Sequence, residues 1–199
     1  MSKMKIKTAS TEDADAIRTA CLEDAERLLQ IYGYYVEKTA ISFEYEVPTL
    51  TEFQERMKHT LQNYPYLVVL LDGAIMGYAY AGPFHPRAAY QWAAETTIYM
   101  APDARKCGLG RRLYEALEQD LKEMGILNLY ACIGYPEKED AYLTKNSAEF
   151  HAHMGYRVAG RFKKCGYKFN QWYDMIYMEK VIGVHQEIQP GLRPFSGCK

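Results

Sequence analysis

The sequence predicts an α/β (α+β) domain around one mixed sheet, on three observations. Short β-rich runs and amphipathic stretches follow one another in the order βααβββαβαββ, which calls for a sheet with helices packed on it. The chain has 199 residues, the length of a single domain. Its 48% hydrophobic and 25% charged residues suit a folded chain with a sizeable core. The domain proper is expected over residues 16–180. An extension, 1–15, precedes it, and an irregular tail, 181–199, follows with Pro190, Gly191, Pro194 and Gly197.

Each element has a local reason. Ile17-Arg18-Thr19-Ala20 echoes Ile6-Lys7-Thr8-Ala9, but only the second copy leads into an apolar-periodic stretch, Leu28, Leu29, Ile31, Tyr32 and Tyr35. That copy is the expected first strand and helix start. Thr49 and Glu52 form a capping box for a helix running to about Asn63. Tyr66–Leu71 is a short apolar run, Asp72-Gly73 a hairpin turn and Ala74–Ala81 the returning strand, broken by Gly82-Pro83. Trp92–Met100 reads as a strand. Gly108–Met124 is a helix with Leu109, Leu113, Leu117 and Leu121 on one face, stopped by Gly125. Leu127–Ile133 is a strand and Ser147–Met154 a short helix ended by Gly155. Tyr156–Lys164 and Trp172–Lys180 are strands joined by a turn near Gly166.

Charge and cysteine exclude several classes. Twenty-four Lys and Arg balance 25 Asp and Glu, so the basic excess of a nucleic-acid binder is missing. The five Cys show no CxxC spacing and no zinc pattern, which predicts free thiols, no metal and a cytoplasmic protein. The N-terminus has no signal-peptide core, and the apolar runs fall far below the roughly 20 residues of a membrane span. Tyrosine is over-represented, 18 against 7 Phe and 2 Trp. An apolar ring with a hydroxyl tip suits pocket walls and interfaces.

The densest chemical signal is Arg105-Lys106-Cys107-Gly108-Leu109-Gly110-Arg111-Arg112, between a strand and a helix. Glycines there let the backbone approach a ligand, and the helix N-terminus with four cations favours an anion. These features describe a diphosphate cradle. It is neither a P-loop nor a dinucleotide fingerprint, because the lysine-serine/threonine pair and the third glycine are missing.

Arg-x-x-Gly-x-Gly-Arg leading into an amphipathic helix resembles the acetyl-CoA loop of the GCN5-related N-acetyltransferases. Within that superfamily the sequence is similar to the phosphinothricin and methionine-sulfoximine acetyltransferase branch. The similarity rests on Ile31-Tyr32, Tyr35-Val36, Thr39-Ala40 and Phe43, then Gly82-Pro83, Ala89-Tyr90 and Trp92. It continues through Glu95-Thr96-Thr97-Ile98-Tyr99, Ser147–His151 with Gly155-Tyr156, and Gly166-Tyr167-Lys168 with Trp172 and Asp174. The ordered set covers about residues 16–180.

The resemblance implies a mostly antiparallel sheet of about seven strands flanked by about four helices, with a splayed strand pair holding acetyl-CoA. It further implies an N-acetyltransferase acting on the primary amine of a small amino-acid-like substrate, and a homodimer. A different amine, such as a protein N-terminus or a polyamine, and a non-catalytic acyl-CoA sensor remain open. Amine acetylation needs a proton acceptor, since an alkyl amine is cationic at neutral pH. Glu95 is the candidate base. Strand alternation puts it on one face with Thr97 and Tyr99, amid apolar neighbours that would raise its pKa. His151 is the second catalytic candidate, as proton donor to the leaving thiolate or as a cofactor contact. The backbone of Ile98, Tyr99 and Met100 is the expected pantetheine-holding segment. Thr144, Asn146 and Ser147, where the family's asparagine is displaced, are further cofactor candidates. Arg87 is the expected carboxylate binder, with Phe43, Tyr90 and Trp92 as pocket walls. Cys107 lies beside the loop, without a covalent role in direct transfer.

Overall fold

The computed structural model describes residues 16–104 and 108–195. The expected extension 1–15, and Arg105, Lys106 and Cys107 of the glycine loop, lie outside the described residues. Seven strands and four α-helices follow in the order β1 Ile17–Thr19, α1 Ala25–Lys38, α2 Leu50–Leu61, β2 Tyr66–Leu71, β3 Ala74–Pro83, β4 Ala93–Met100, α3 Leu109–Met124, β5 Asn128–Tyr135, α4 Asn146–His153, β6 Arg157–Lys168 and β7 Gln171–Val181. The strands form one sheet in the order β1-β2-β3-β4-β5-β7-β6. All neighbours are antiparallel except β4 and β5.

Local chemistry sets the elements. Thr49 and Glu52 cap α2 reciprocally, with Glu52 accepting from the Thr49 amide at 2.8 Å and Thr49 Oγ1 accepting from the Glu52 amide at 3.3 Å. Asp72 and Gly73 turn the β2–β3 hairpin with φ of 50° and 78°, both in the left-handed region that such a tight turn requires. In α3, Leu109, Leu113, Leu117 and Leu121 recur every four residues and are all buried. With Leu129, Ala131, Ile176 and Met178 of the sheet they form the larger core. The opposite sheet face meets α1 and α2 through Leu28, Ile31, Phe53, Met57, Tyr66, Val68 and Tyr78.

Two turns differ from the sequence expectation. β3 continues through Gly82-Pro83, with Pro83 opposite Ala94. β2 begins only at Tyr66, opposite Tyr80, so the proline has no second neighbour strand that would need its missing N–H. The β6–β7 turn falls at Phe169-Asn170, with φ of 50° and 60°, rather than near Gly166. Gly166 answers a close approach instead: a Cβ there would stand 2.3 Å from the Phe43 ring. Residues 182–195 lack regular structure but are docked. Ile182 N–H donates to Leu127 O at 2.8 Å, and Arg193 N–H to Met124 O at 2.8 Å. Leu192 and Phe195 pack on the larger core.

Candidate active site

The ladder between β4 and β5 is short. Ala93, Ala94 and Glu95 pair with Asn128, Leu129 and Tyr130, and the strands then part. Glu95 is therefore the last paired residue before the splay. Its neighbour Thr96 fills the wedge on the other face, with Oγ1 3.2 Å from Tyr130 O and 2.6 Å from the Tyr114 hydroxyl.

Beyond the wedge the β5-facing edge of β4 is open. Met100 sits opposite Gly77, yet its N–H and C=O both meet the Tyr35 hydroxyl, at 3.3 and 2.5 Å. Its backbone thus points away from β3. Antiparallel alternation makes Ile98 point the same way. Ile98 lies three residues past Glu95, the last position of β4 that pairs with β5, so β5 does not occupy that edge. Of the three expected pantetheine contacts, Ile98 offers a free backbone edge, Met100 is engaged by Tyr35, and Tyr99 is turned toward β3.

The N-terminus of α3 abuts this edge. A Cβ on Gly110 would lie 3.6 Å from Met100 Cγ and 3.8 Å from Ile98 Cδ1. Gly108, the N-cap residue, has φ of 80° and no side-chain cap, so the first-turn amides are left for an anion. Arg111 is exposed and paired with Glu115 at 2.8 Å, and Arg112 is exposed as well. Open amides at the mouth of a splayed strand pair fit a diphosphate joined to a pantetheine arm.

Glu95 occupies the face that alternation predicted, with Thr97 and Tyr99; Tyr99 packs on Tyr32 and Tyr35 at 5.1 and 5.0 Å. Burial raises the Glu95 pKa above the ordinary carboxylate range, partly opposed by the Tyr177 hydroxyl at 3.4 Å and by His85. Phe84 closes over this side, stacked 4.1 Å from the Tyr130 ring. Sequence reasoning missed Tyr177 and His85, whose places depend on β7 and on the loop after β3.

His151 stands on the α3–α4 side, across the sheet from Glu95. It is 3% exposed. Nδ1 lies 2.7 Å from Ser147 O and Nε2 3.0 Å from the Tyr114 hydroxyl. A carbonyl only accepts, so Nδ1 carries the proton and Nε2 accepts from Tyr114. Tyr114 in turn accepts from Thr96. Burial lowers the His151 pKa to about 4, so the neutral ring has no spare proton to release. The geometry fits a residue that holds Tyr114 and Thr96 behind the wedge, rather than a general acid.

A stability prediction follows. The unfolded histidine takes a proton below its ordinary pKa of 6.5, whereas the native one resists until about 4. His151 therefore contributes stability that is complete above pH 6.5 and is lost as pH falls toward 4. A shift of this size amounts to about 3 kcal/mol. Denaturant melts from pH 7 to 4 should show wild type losing about that much more than His151→Gln; parallel curves would contradict it.

The other sequence-predicted residues are scattered. Thr144 is exposed, and its hydroxyl accepts from the Asn146 amide at 3.4 Å as α4 begins. Ser147 contributes its carbonyl to His151. Arg87 is exposed, without an ion pair among the described residues, and its carbonyl accepts from the Tyr90 amide at 2.9 Å. Tyr90 meets the rings of Phe84 and His85 at 6.0 and 5.0 Å, and His85 is the one of these that acts on Glu95. Trp92 does not wall this pocket: its indole N–H donates to Pro190 O at 2.9 Å and pins the tail. Phe43 packs with Ala40, Leu143 and Tyr173 under Gly166.

Comparison with known proteins agrees with this geometry. The acetyltransferase (GNAT) domain model matches residues 17–177. The chain is 30% identical over 180 residues to a phosphinothricin N-acetyltransferase of Streptomyces viridochromogenes, covering 90% of this chain and 94% of the relative. It is 30% identical over 166 residues to an L-methionine sulfoximine/L-methionine sulfone acetyltransferase of Pseudomonas paraeruginosa, covering 82% and 92%. A crystal structure of a phosphinothricin acetyltransferase from Sinorhizobium meliloti in complex with acetyl-CoA superposes with a TM-score of 0.81 at 28% identity, covering 93% of this chain and 97% of that one. A splayed β4–β5 pair, an open α3 N-terminus and this family match over nearly the whole domain place the chain in the GNAT family of acetyltransferases.

Proposed function

We propose that this protein transfers the acetyl group of acetyl-CoA to the α-amine of a small amino-acid-like substrate of the phosphinothricin or methionine sulfoximine type. The observation that carries the reading is a half-buried Glu95 of raised pKa at the point where β4 and β5 part. Bound acetyl-CoA supplies an activated thioester carbonyl. The α3 N-terminal amides from Gly108 onward and the cations of residues 105–112 hold its diphosphate. The Ile98 backbone edge orients the pantetheine arm and offers an N–H toward the developing oxyanion. Glu95 takes a proton from the ammonium, directly or through one water; the amine forms the C–N bond at the thioester carbonyl, the C–S bond breaks, and the sulfur leaves as the CoA thiolate, which takes up the proton released on amide formation. Arg87, exposed and two residues beyond His85, binds the substrate carboxylate.

The assembly is a homodimer, supported by exposed Val158 and Phe162 on β6, at 58% and 51%. Free thiols at Cys21, Cys132 and Cys165 support a cytoplasmic setting. Among the described residues no helix is long and apolar enough to cross a membrane.

The test is thiol release from acetyl-CoA over an amine panel that includes phosphinothricin, methionine sulfoximine, methionine sulfone, a polyamine and a peptide N-terminus. Turnover is expected on the amino-acid analogues. Turnover on the polyamine or peptide alone, or tight CoA binding without thiol release, would overturn the reading. Sedimentation of the same preparation reads its mass, and a monomer would overturn the dimer.

A further inference from the structure

The Tyr177 hydroxyl donates to Glu95 Oε2 at 3.4 Å, and the sheet register shows how far the side chain reaches to do so. Glu95 pairs with Tyr130 of β5, and Tyr130 stands opposite Glu179 of β7. Tyr177 lies one pleat away along β7, opposite Cys132. Its side chain therefore crosses β5 on the diagonal to meet the base. Cross-strand neighbours share a face, and Cys132 is small enough for the ring to pass over it. A strand spacing of about 4.8 Å puts β7 roughly 10 Å from β4, a span that calls for a side chain as long as tyrosine.

Packing accounts for the ring of Tyr177 but not for its hydroxyl. Phe84 meets the ring edge-on at 5.9 Å and 86°, and Phe162 meets it at 6.2 Å and 78°. Phe84 is itself stacked on Tyr130, so the ring is held between the loop after β3 and strand β6. Phenylalanine would make all of these contacts. The hydroxyl adds the bond to Glu95 and a contact with the Cys132 thiol.

The surroundings of the base give that bond a purpose. The titratable groups that face Glu95 are Tyr177 from β7, Tyr130 and Cys132 from β5, Tyr80 from β3, Tyr114 from α3 behind the sheet, and His85 from the loop after β3. Burial raises each of these tyrosines and pushes the Cys132 thiol up to about 11, so all of them stay neutral near pH 7. Burial disfavours the ionised form of Glu95. The Tyr177 hydroxyl opposes that effect first and His85 second. His85 acts through charge, whereas the hydroxyl touches one carboxylate oxygen and so also fixes how the group is turned.

We propose that Tyr177 is the positioning residue of the acceptor-side base: its hydroxyl holds Glu95 Oε2 and turns Oε1 toward the amine. The inference rests on the acetyltransferase reading above and adds to it a residue of β7. Tyr177 keeps its own proton throughout, and no proton transfer runs through it. A separation of 3.4 Å is long for such a bond, and bonds of this kind tighten once substrate is seated.

The experiment compares wild type with Tyr177→Phe, which keeps the ring and removes the hydroxyl. Tyr177 is half-buried, so the fold should tolerate the change. The first readout is the pH dependence of kcat/KM with the best acceptor of the amine panel. A donor to the ionised form lowers a carboxyl pKa, so losing it raises that pKa. The acidic limb should move up by about one pH unit, making the variant about tenfold slower at a pH below both limbs. KM for acetyl-CoA should stay within about twofold. Above both limbs the difference should narrow to the part due to orientation. The second readout is the titration of the Glu95 carboxyl carbon by NMR, without acetyl-CoA or amine, its signal assigned by its absence from Glu95→Gln. Its midpoint should rise by the same amount in Tyr177→Phe. An unmoved midpoint would show that the hydroxyl does not hold the carboxylate, and would overturn the proposal. So would a risen midpoint with an unmoved limb, which would assign the limb to another base. A uniform loss of rate at every pH would reduce Tyr177 to packing and overturn it as well. Failure to acetylate any amine would overturn the underlying reading, with the carboxyl titration still deciding whether Tyr177 holds Glu95.

Discussion

Glu95→Gln should lower kcat at neutral pH by about 10²–10⁴-fold, the range typical of a lost general base, while KM for acetyl-CoA stays within about twofold. The separation follows from geometry. The cofactor is assigned to the open edge beyond Glu95 and to the α3 N-terminus, neither of which uses the carboxylate. Glutamine keeps the shape and can still meet the Tyr177 hydroxyl at its 3.4 Å separation, so the fold should tolerate it. The pH profile gives a second readout. A base works only when ionised, and burial raises the Glu95 pKa. Activity should therefore fall as pH drops through a value above that of an ordinary glutamate. Glu95→Gln should lose that acidic limb along with the rate. Unchanged turnover, or a full loss with the limb retained, would assign the proton transfer to another group.

Much of this arrangement follows from local rules and some of it does not. The leucine spacing of α3, the capping box of α2 and the Asp72-Gly73 turn each fix an element from a few adjacent residues, and the structure has all three. Alternation along β4 likewise placed Glu95 on the face of Thr97 and Tyr99. The misplaced turns had distant causes. Gly82-Pro83 reads as a breaker until β2 is seen to begin only at Tyr66, and Gly166 reads as a turn until Phe43, from the α1–α2 connection, is found against it. The site divides in the same way. The glycine loop and Glu95 are local signals. Tyr177 and His85 are brought to Glu95 by sheet order and loop path. Trp92, an aromatic close to the base in sequence, is committed to Pro190 in the tail. His151 is legible only through the family resemblance of its helix, and its chemistry is set by Tyr114 on another helix. The tyrosine excess was a signal without an address: Tyr66, Tyr78 and Tyr80 are brought into one ring stack only once β2 and β3 are paired in register.

Lys168→Met should destabilise the protein by about 3–5 kcal/mol and loosen the acceptor side of the site. Lys168 is 3% exposed, and its Nζ donates to Val36 O, Thr39 O and Ser42 O at 2.7, 2.9 and 2.7 Å. Among the described residues it has no ion-pair partner. Its charge is held by the carbonyls around the C-terminus of α1, where the helix dipole is negative. Burial lowers its pKa, which shows the cost of the site, and the three carbonyls offset that cost. Methionine matches the stem and removes the donors, leaving carbonyls unsatisfied. The effect should travel along the connection that Lys168 holds. Ser42 pairs with Tyr32, Glu44 with Arg56, Phe43 fills the space under Gly166, and the Tyr45 hydroxyl donates to Tyr167 O at 2.6 Å. A thermal melt should show Tm lowered by roughly 10 °C or more. At a temperature where the variant is still folded, KM for the amine should rise severalfold while KM for acetyl-CoA holds, because the cofactor edge of β4 and α3 lies apart from this connection. A Tm within about 2 °C of wild type would mean that water replaces the ammonium without penalty. An equal rise in both KM values would mean that Lys168 supports the whole fold rather than the acceptor side.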